Sequence, residues 1–198
     1  MVEQPGQLYY SNPDNIKGAR ISRDMMVTFC SAFGEAIDAP DTRHFISNTR
    51  IPNERELYGT VIKALLSDSF DKQVGHIATE VQVTRQMDEA SGKGRVDIIF
   101  DYRRTSFLVE LKVIRVPVNG RCIDNEDITP TQRLVRPWQK AVKQLIELDE
   151  KSLGNALKRK IVKLPMAIYL HIDNRQHDDS SQWMEHSAKT HEKIVAQL

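Results

Sequence analysis

The sequence predicts an α/β fold in which helices cover a β-sheet, and three observations predict it. Two helical patterns come first, over residues 23–37 and from Asn53 onward. Alternating strand patterns follow between residues 76 and 114. A helix, a short apolar strand and a final helix close the chain. That order suits a mixed α/β layer. No internal repeat, long linker or second core interrupts it, so residues 1–198 read as a single domain.

Composition narrows the function classes. The chain is 40% hydrophobic and 28% charged, enough for a real core. Its formal charge of +1 gives no global argument for an anionic partner. Nucleic-acid affinity must then come from local patches. Cys30 and Cys122 lie far apart, without metal-ligand spacing, and read as free thiols in a reducing compartment. There is no apolar run near about 18 residues and no leader pattern. A cytoplasmic protein without membrane association is expected.

Residues 1–20 contain Pro5, Gly6, Pro13 and Gly18 and read as an irregular arm. Ser22 is placed to cap a helix over 23–37, whose apolar face is Met25, Met26, Phe29, Phe33 and Ile37. Ala39-Pro40-Asp41 is expected to end it. Asn53 begins the next helix, with Glu56 three residues later as in a capping box. Leu57, Val61, Ala64 and Leu65 form its stripe, broadened by Tyr58 and Ile62. At about 100° per residue, Glu54 falls near the centre of that stripe. Glu56 falls opposite, with Thr60 and Lys63. A carboxylate aimed at a core needs a partner, often a cation. Glu54 is therefore the candidate site residue and Glu56 the cap. The bland alternative for Glu54 is a solvated glutamate in a frayed first turn.

Residues 76–86 alternate as a half-buried strand, with Glu80 read as a solvent-facing residue and, alternatively, as a metal contact. Residues 87–94 read as a flexible connection carrying Lys93. The stretch from Gly94 to Lys112 reads as two strands joined by a basic turn. If Arg103 and Arg104 form a two-residue turn between Tyr102 and Thr105, Asp97 sits opposite Glu110. Glu110 and Lys112 share one face of the second strand, and Val109 and Leu111 the other. Like charges directly across a hairpin repel, so this register needs a cation.

Residues 116–128 read as a loop insertion. Pro137 stands at the start of a helix, or at a kink in one beginning nearer Thr131. Trp138, Ala141, Val142, Leu145 and Leu148 form its buried face, with Gln139 and Gln144 on the flanks. Residues 151–163 make a basic turn. Residues 164–172 suit a central or near-central strand with Pro165 near its start. Ser180 or Ser181 is expected to cap a last helix.

Asp97 and Glu110 offer oxygen ligands, Glu54 a third, and the Leu111 carbonyl a fourth. Such hard donors suit Mg²⁺ or Mn²⁺. Anionic neighbours keep Lys112 charged, which favours electrostatic stabilisation of a developing negative charge. The six histidines show no H-E-x-x-H pattern, and Ser91-Gly92-Lys93-Gly94 is too short for a phosphate-binding loop. These patterns point away from zinc-hydrolase and nucleotide-loop chemistry.

Asp97 followed by Glu110-Leu111-Lys112 resembles the D…(D/E)xK signature of the PD-(D/E)XK nuclease superfamily. Gly94-Arg95-Val96-Asp97 and Phe107-Leu108-Val109 resemble the strands that carry it. Val96 stands where the signature has a proline. The helix at Asn53 resembles the superfamily's first core helix, whose glutamate often joins the metal site. Gln144-Leu145 resembles a downstream glutamine found in some members. The resemblance covers roughly Asn53 to Tyr169. It implies a restriction-endonuclease-like mixed β-sheet core flanked by helices. It also implies a Mg²⁺- or Mn²⁺-dependent nuclease acting on DNA, an endonuclease by preference. Asp97, Glu110, Lys112 and Glu54 would be catalytic, with Gln144 accessory. Asp97, Glu110, Leu111 and Glu54 would hold the metal. Arg103, Arg104 and Lys93 are the expected phosphate contacts. A homodimer or a larger nucleoprotein complex is expected. The alternatives are a noncatalytic nucleic-acid-binding or assembly subunit, and a nuclease subunit active only within a larger complex.

Overall fold

A computed structural model describes residues 19–48, 52–87, 90–117, 132–156 and 160–172. The expected N-terminal arm, most of the 116–128 loop, Cys122 and the last helix fall largely or wholly outside these residues. Within them the chain is an α/β structure, a mixed four-stranded sheet flanked by helices. The helices are α1 (Ala19–Asp38), α2 (Pro40–Asn48), α3 (Tyr58–Leu65) and α4 (Gln132–Ile146). The strands are β1 (Val74–Met87), β2 (Ala90–Tyr102), β3 (Thr105–Pro117) and β4 (Lys160–Ile172), in the order β1-β2-β3-β4. No helix among the described residues is long and apolar enough to cross a membrane.

The described residues cluster into two compact units. One runs through Val109 and includes Glu147–Leu164; the other takes the described residues of Glu110–Ile146 and those from Pro165 on. In the first unit, α1 packs against α3. The buried face of α1 is Ser22, Met25, Phe29, Ala32 and Ala36. Ser22 is therefore not the cap expected of it, because α1 already begins at Ala19. Its side chain is instead buried on the inner face of α1. The first helix ends where expected, just before Ala39-Pro40, but Pro40 also opens a second helix that was not expected. Asp38 ends α1, a bend follows, and Pro40 opens α2. Proline lacks the N–H that a first helical residue leaves unpaired, so it starts a helix as readily as it stops one.

The β1–β2 ladder runs from Val74↔Tyr102 to Met87↔Ala90, with one irregularity between Val74 and Ile77. The expected hairpin is there, but Met87 and residues 90–94, expected to belong to its flexible connection, are strand. Gly94 is required by packing. A Cβ there would come within 2.7 Å of Cδ and 3.0 Å of Cγ of Arg85, a buried side chain. Arg85 Nη2 in turn donates to the Arg95 carbonyl at 2.6 Å. At Thr84–Gln86 the outer edge of β1 is covered by the segment after α4. Gln86 N donates to the Glu147 carbonyl at 2.7 Å, and Asp149 N to the Thr84 carbonyl at 3.0 Å. A covered edge cannot template pairing with another chain.

The β2–β3 ladder runs from Ile98↔Val109 to Tyr102↔Thr105. This is the expected register, and the connection is the two-residue Arg103-Arg104 turn. Both arginines take positive φ, 45° and 64°. Such a turn matches the twist of the strands it joins. Phe100 and Phe107 stack across this ladder at 5.1 Å, and Phe70 meets Tyr102 edge-on at 5.6 Å.

In the second unit, Ile114 of β3 packs against Ala167 and Tyr169 of β4. Pro137 lies inside α4. Val135, Ala141 and Leu145 are buried on that helix. β4 is an edge strand of the described sheet, not the central one expected. An edge strand tolerates Pro165, which has no N–H to donate, and explains why most of its apolar run is only half-buried.

Candidate functional site

In the first unit, the site begins at the turn into α3. Asn53 N donates to Glu56 Oε2 at 2.7 Å, and Glu56 N donates to Asn53 Oδ1 at 3.2 Å. This reciprocal capping box holds Glu56 away from the site, as expected, and leaves Glu54 at the head of the Arg55–Leu57 turn. Glu54 is half-buried. One helical turn on is Tyr58, a nearly buried residue expected only to widen an apolar stripe.

The Tyr58 hydroxyl stands among carboxylates. Its single proton is shared between Asp97 and Glu80 Oε1, the latter at 3.4 Å. Burial first, then the negative charge of Asp97, with smaller contributions from Glu80 and Glu54, pushes its ionisation far above the usual tyrosine range. Tyr58 thus remains a neutral donor and brings Glu54, Glu80 and Asp97 into one electrostatic neighbourhood.

Glu80 was expected to face solvent from a regular strand. Instead its backbone turns into the left-handed region at φ 54° between the rungs Thr79↔Ile98 and Val81↔Val96. The residue between the matching positions on β2 is Asp97. The Glu80 carboxylate pairs through Oε1 with Arg55 Nε at 3.1 Å and through Oε2 with Arg95 Nη1 at 2.8 Å. Two guanidiniums therefore occupy it.

In the second unit, β3 carries Glu110, Leu111 and Lys112, all buried. Lys112 Nζ lies 3.1 Å from Glu110 Oε1 and donates to the Leu111 carbonyl at 3.0 Å. An ion pair on a solvated sheet face is ruled out by this burial. The two oxygens expected to serve a hard cation, the Glu110 carboxylate and the Leu111 carbonyl, are held by one ammonium. Gln144 is half-buried on α4, and its Oε1 is buried without a hydrogen-bond partner.

The expected phosphate contacts are surface residues. Lys93, Arg103 and Arg104 are exposed. Arg103 is the more constrained of the turn arginines. Its guanidinium lies over the Tyr102 ring at 5.0 Å, pairs with Asp24 at 3.8 Å, and donates to Gln73 Oε1. His44 and His76 are exposed.

Among the described residues, no three His, Cys, Asp or Glu side chains form a group that could hold a metal ion. Mg²⁺ does not require such a cage, because it is commonly bound by one or two carboxylates with water and substrate phosphate. The donors present are all oxygens, and a protein cation already holds two of them. That chemistry fits a hard divalent cation.

Tyr58, Arg55 and Arg95 are the members of this cluster that sequence reasoning missed. Tyr58 carried a signal, its i+4 spacing from Glu54. No protein-family model, curated protein or solved structure matches the chain.

Proposed function

We propose that the protein is a metal-dependent nuclease of PD-(D/E)XK type acting on DNA, with a restriction-endonuclease-like core. The observation that supports this most is the buried Glu110–Lys112 pair on β3, carried by a hairpin of the expected register. Burial of a charge pair is a poor route to stability, because desolvation offsets much of the attraction. A glutamate and a lysine held in this way on one strand fit a chemical role better than a structural one.

In this reading, the first unit would offer the Asp97 and Glu54 carboxylates, and the second the Glu110 carboxylate and the Leu111 carbonyl, as oxygen donors for Mg²⁺ or Mn²⁺. Such a cation would supply an activated water and neutralise charge on the leaving oxygen. Lys112 contributes a fixed positive charge toward the phosphoryl oxygens. Tyr58 donates a hydrogen bond that orients Asp97. Gln144 offers an acceptor oxygen without a protein partner and serves as the accessory residue. Lys93, Arg103 and Arg104 approach the phosphate backbone, which positions a duplex without reading its sequence. Cleavage of both strands would call for two copies of this chain.

The deciding experiment incubates the purified chain with linear and circular duplex DNA, single-stranded DNA and RNA, under Mg²⁺, Mn²⁺ or EDTA. Metal-dependent cutting of DNA that is lost in Asp97→Ala and Lys112→Ala, with folding retained, supports the reading. Equal cutting by wild type and both variants removes it. DNA binding without cutting on any substrate favours a noncatalytic binding subunit.

A further inference from the structure

The cluster around Glu80 is not explained by stability. A non-glycine residue in the left-handed region carries backbone strain. Exposed ion pairs of the kind made with Arg55 and Arg95 return little stability. The pairs therefore do little more than offset the strain, and the arrangement also draws two guanidiniums together against their repulsion. Strained backbone of this kind persists where the surrounding structure holds it for another purpose.

The geometry suggests the purpose. Arg55 comes from the turn before α3, and Arg95 from β2. One carboxylate ties them, oxygen by oxygen. The glutamate side chain is 28% exposed, while the arginines remain 66% and 54% exposed. Each guanidinium spends one nitrogen on Glu80 and turns the rest of its fork to solvent. The Arg55–Glu80–Arg95 group itself carries two cations against one anion, beside the Glu54 and Asp97 carboxylates that share the Tyr58 neighbourhood. Planar forks of this kind match phosphate oxygens. The Tyr58 hydroxyl, its proton shared between Glu80 and Asp97, joins the cluster to the proposed catalytic carboxylate.

We propose that Arg55 and Arg95 form a clamp for one backbone phosphate of a nucleic-acid strand, and that Glu80 is the positioning residue that sets their spacing. The nucleic-acid ligand rests on the nuclease reading, but the clamp is tested by binding alone. Glu80 is then not a metal ligand, since its two oxygens serve the arginines.

The test measures fluorescence anisotropy of a labelled DNA duplex in EDTA over a salt series, with the folded state of each variant checked by circular dichroism. Arg55→Gln and Arg95→Gln should each weaken binding about tenfold. The double variant should lower the slope of log affinity against log salt by about one, the value for one phosphate, rather than two. Glu80→Ala removes a negative charge, so electrostatics alone would tighten binding; loss of positioning should weaken it. Unchanged affinity and slope in the arginine variants, or no binding by wild type, overturns the clamp. Tighter binding by Glu80→Ala overturns the positioning role. Equal displacement by heparin and unlabelled DNA overturns the nucleic-acid assignment. If the clamp variants behave as expected but wild type cuts nothing under Mg²⁺, the nuclease reading fails and the clamp stands.

Discussion

Lys112 and Glu110 lie two residues apart on β3 and form a buried pair with Nζ 3.1 Å from Oε1. Alternation puts both on one face of the strand, and the same ammonium reaches back to the Leu111 carbonyl. Removing one partner leaves the other charge buried. Lys112→Met should therefore cost about 3–5 kcal/mol, while Glu110→Gln with Lys112→Met should cost less than the sum of its parts. Urea denaturation of the singles and the double gives the coupling. Additive losses would show that the two side chains are not energetically paired.

The capping box distinguishes two glutamates two positions apart, Glu54 and Glu56. Asn53→Ala should destabilise by about 1 kcal/mol through loss of its contact to Glu56 N. Glu56→Gln, which retains an acceptor, should change stability by less and leave cleavage intact. Glu54→Gln should lower cleavage without a comparable loss of stability. If Glu56→Gln alone abolishes cleavage, the assignment of the two glutamates is reversed.

The Arg103-Arg104 turn carries strain that glycine would relieve. Arg104 sits at φ 64° and, unlike Arg103, has no ring or ion-pair contact described above. Arg104→Gly should raise stability by about 0.5–1 kcal/mol, read as a higher melting temperature. Arg103→Gly should gain less, because it also loses contact with Tyr102 and Asp24. A fall in melting temperature for Arg104→Gly would show that its side chain supports the turn.

Burial pushes the Cys30 thiol from 9.0 up to about 11. The folded state thus holds this proton more tightly than the unfolded chain. The associated stability is fully present below pH 9 and is lost as pH rises through about 11. The urea midpoint should fall across that window, and by less in Cys30→Ala. At pH 8 the native thiol should react with iodoacetamide more slowly than the thiol of the urea-unfolded chain, since the thiolate is the nucleophile. Equal rates would place Cys30 in contact with water.

Patterns that depend on near neighbours were legible in the sequence. Asn53 and Glu56 are three residues apart, so their capping box follows from spacing. The hairpin register follows from alternation and from a two-residue turn, which leaves one pairing for every rung. Ambiguous local chemistry was not legible. Pro40 carries the same signal whether it closes one helix or opens another. Ser22 reads as a cap unless a helix packs on it. The glycines and charges of residues 88–94 look like a loop, yet Gly94 is there because Arg85 crosses it.

The sequence by itself determined the helix and strand types around the hairpin, the Arg103-Arg104 turn, and the capping box between Asn53 and Glu56. All of these are fixed by backbone periods and capping bonds over a few residues. Only the tertiary structure decided that the Glu110–Lys112 pair is buried, that β4 lies at a sheet edge, and that Glu80 turns out of its strand to gather Arg55, Arg95 and Tyr58. Burial and charge partners come from residues distant in the chain; Arg55 and Glu80 are 25 positions apart. No local period encodes such a meeting.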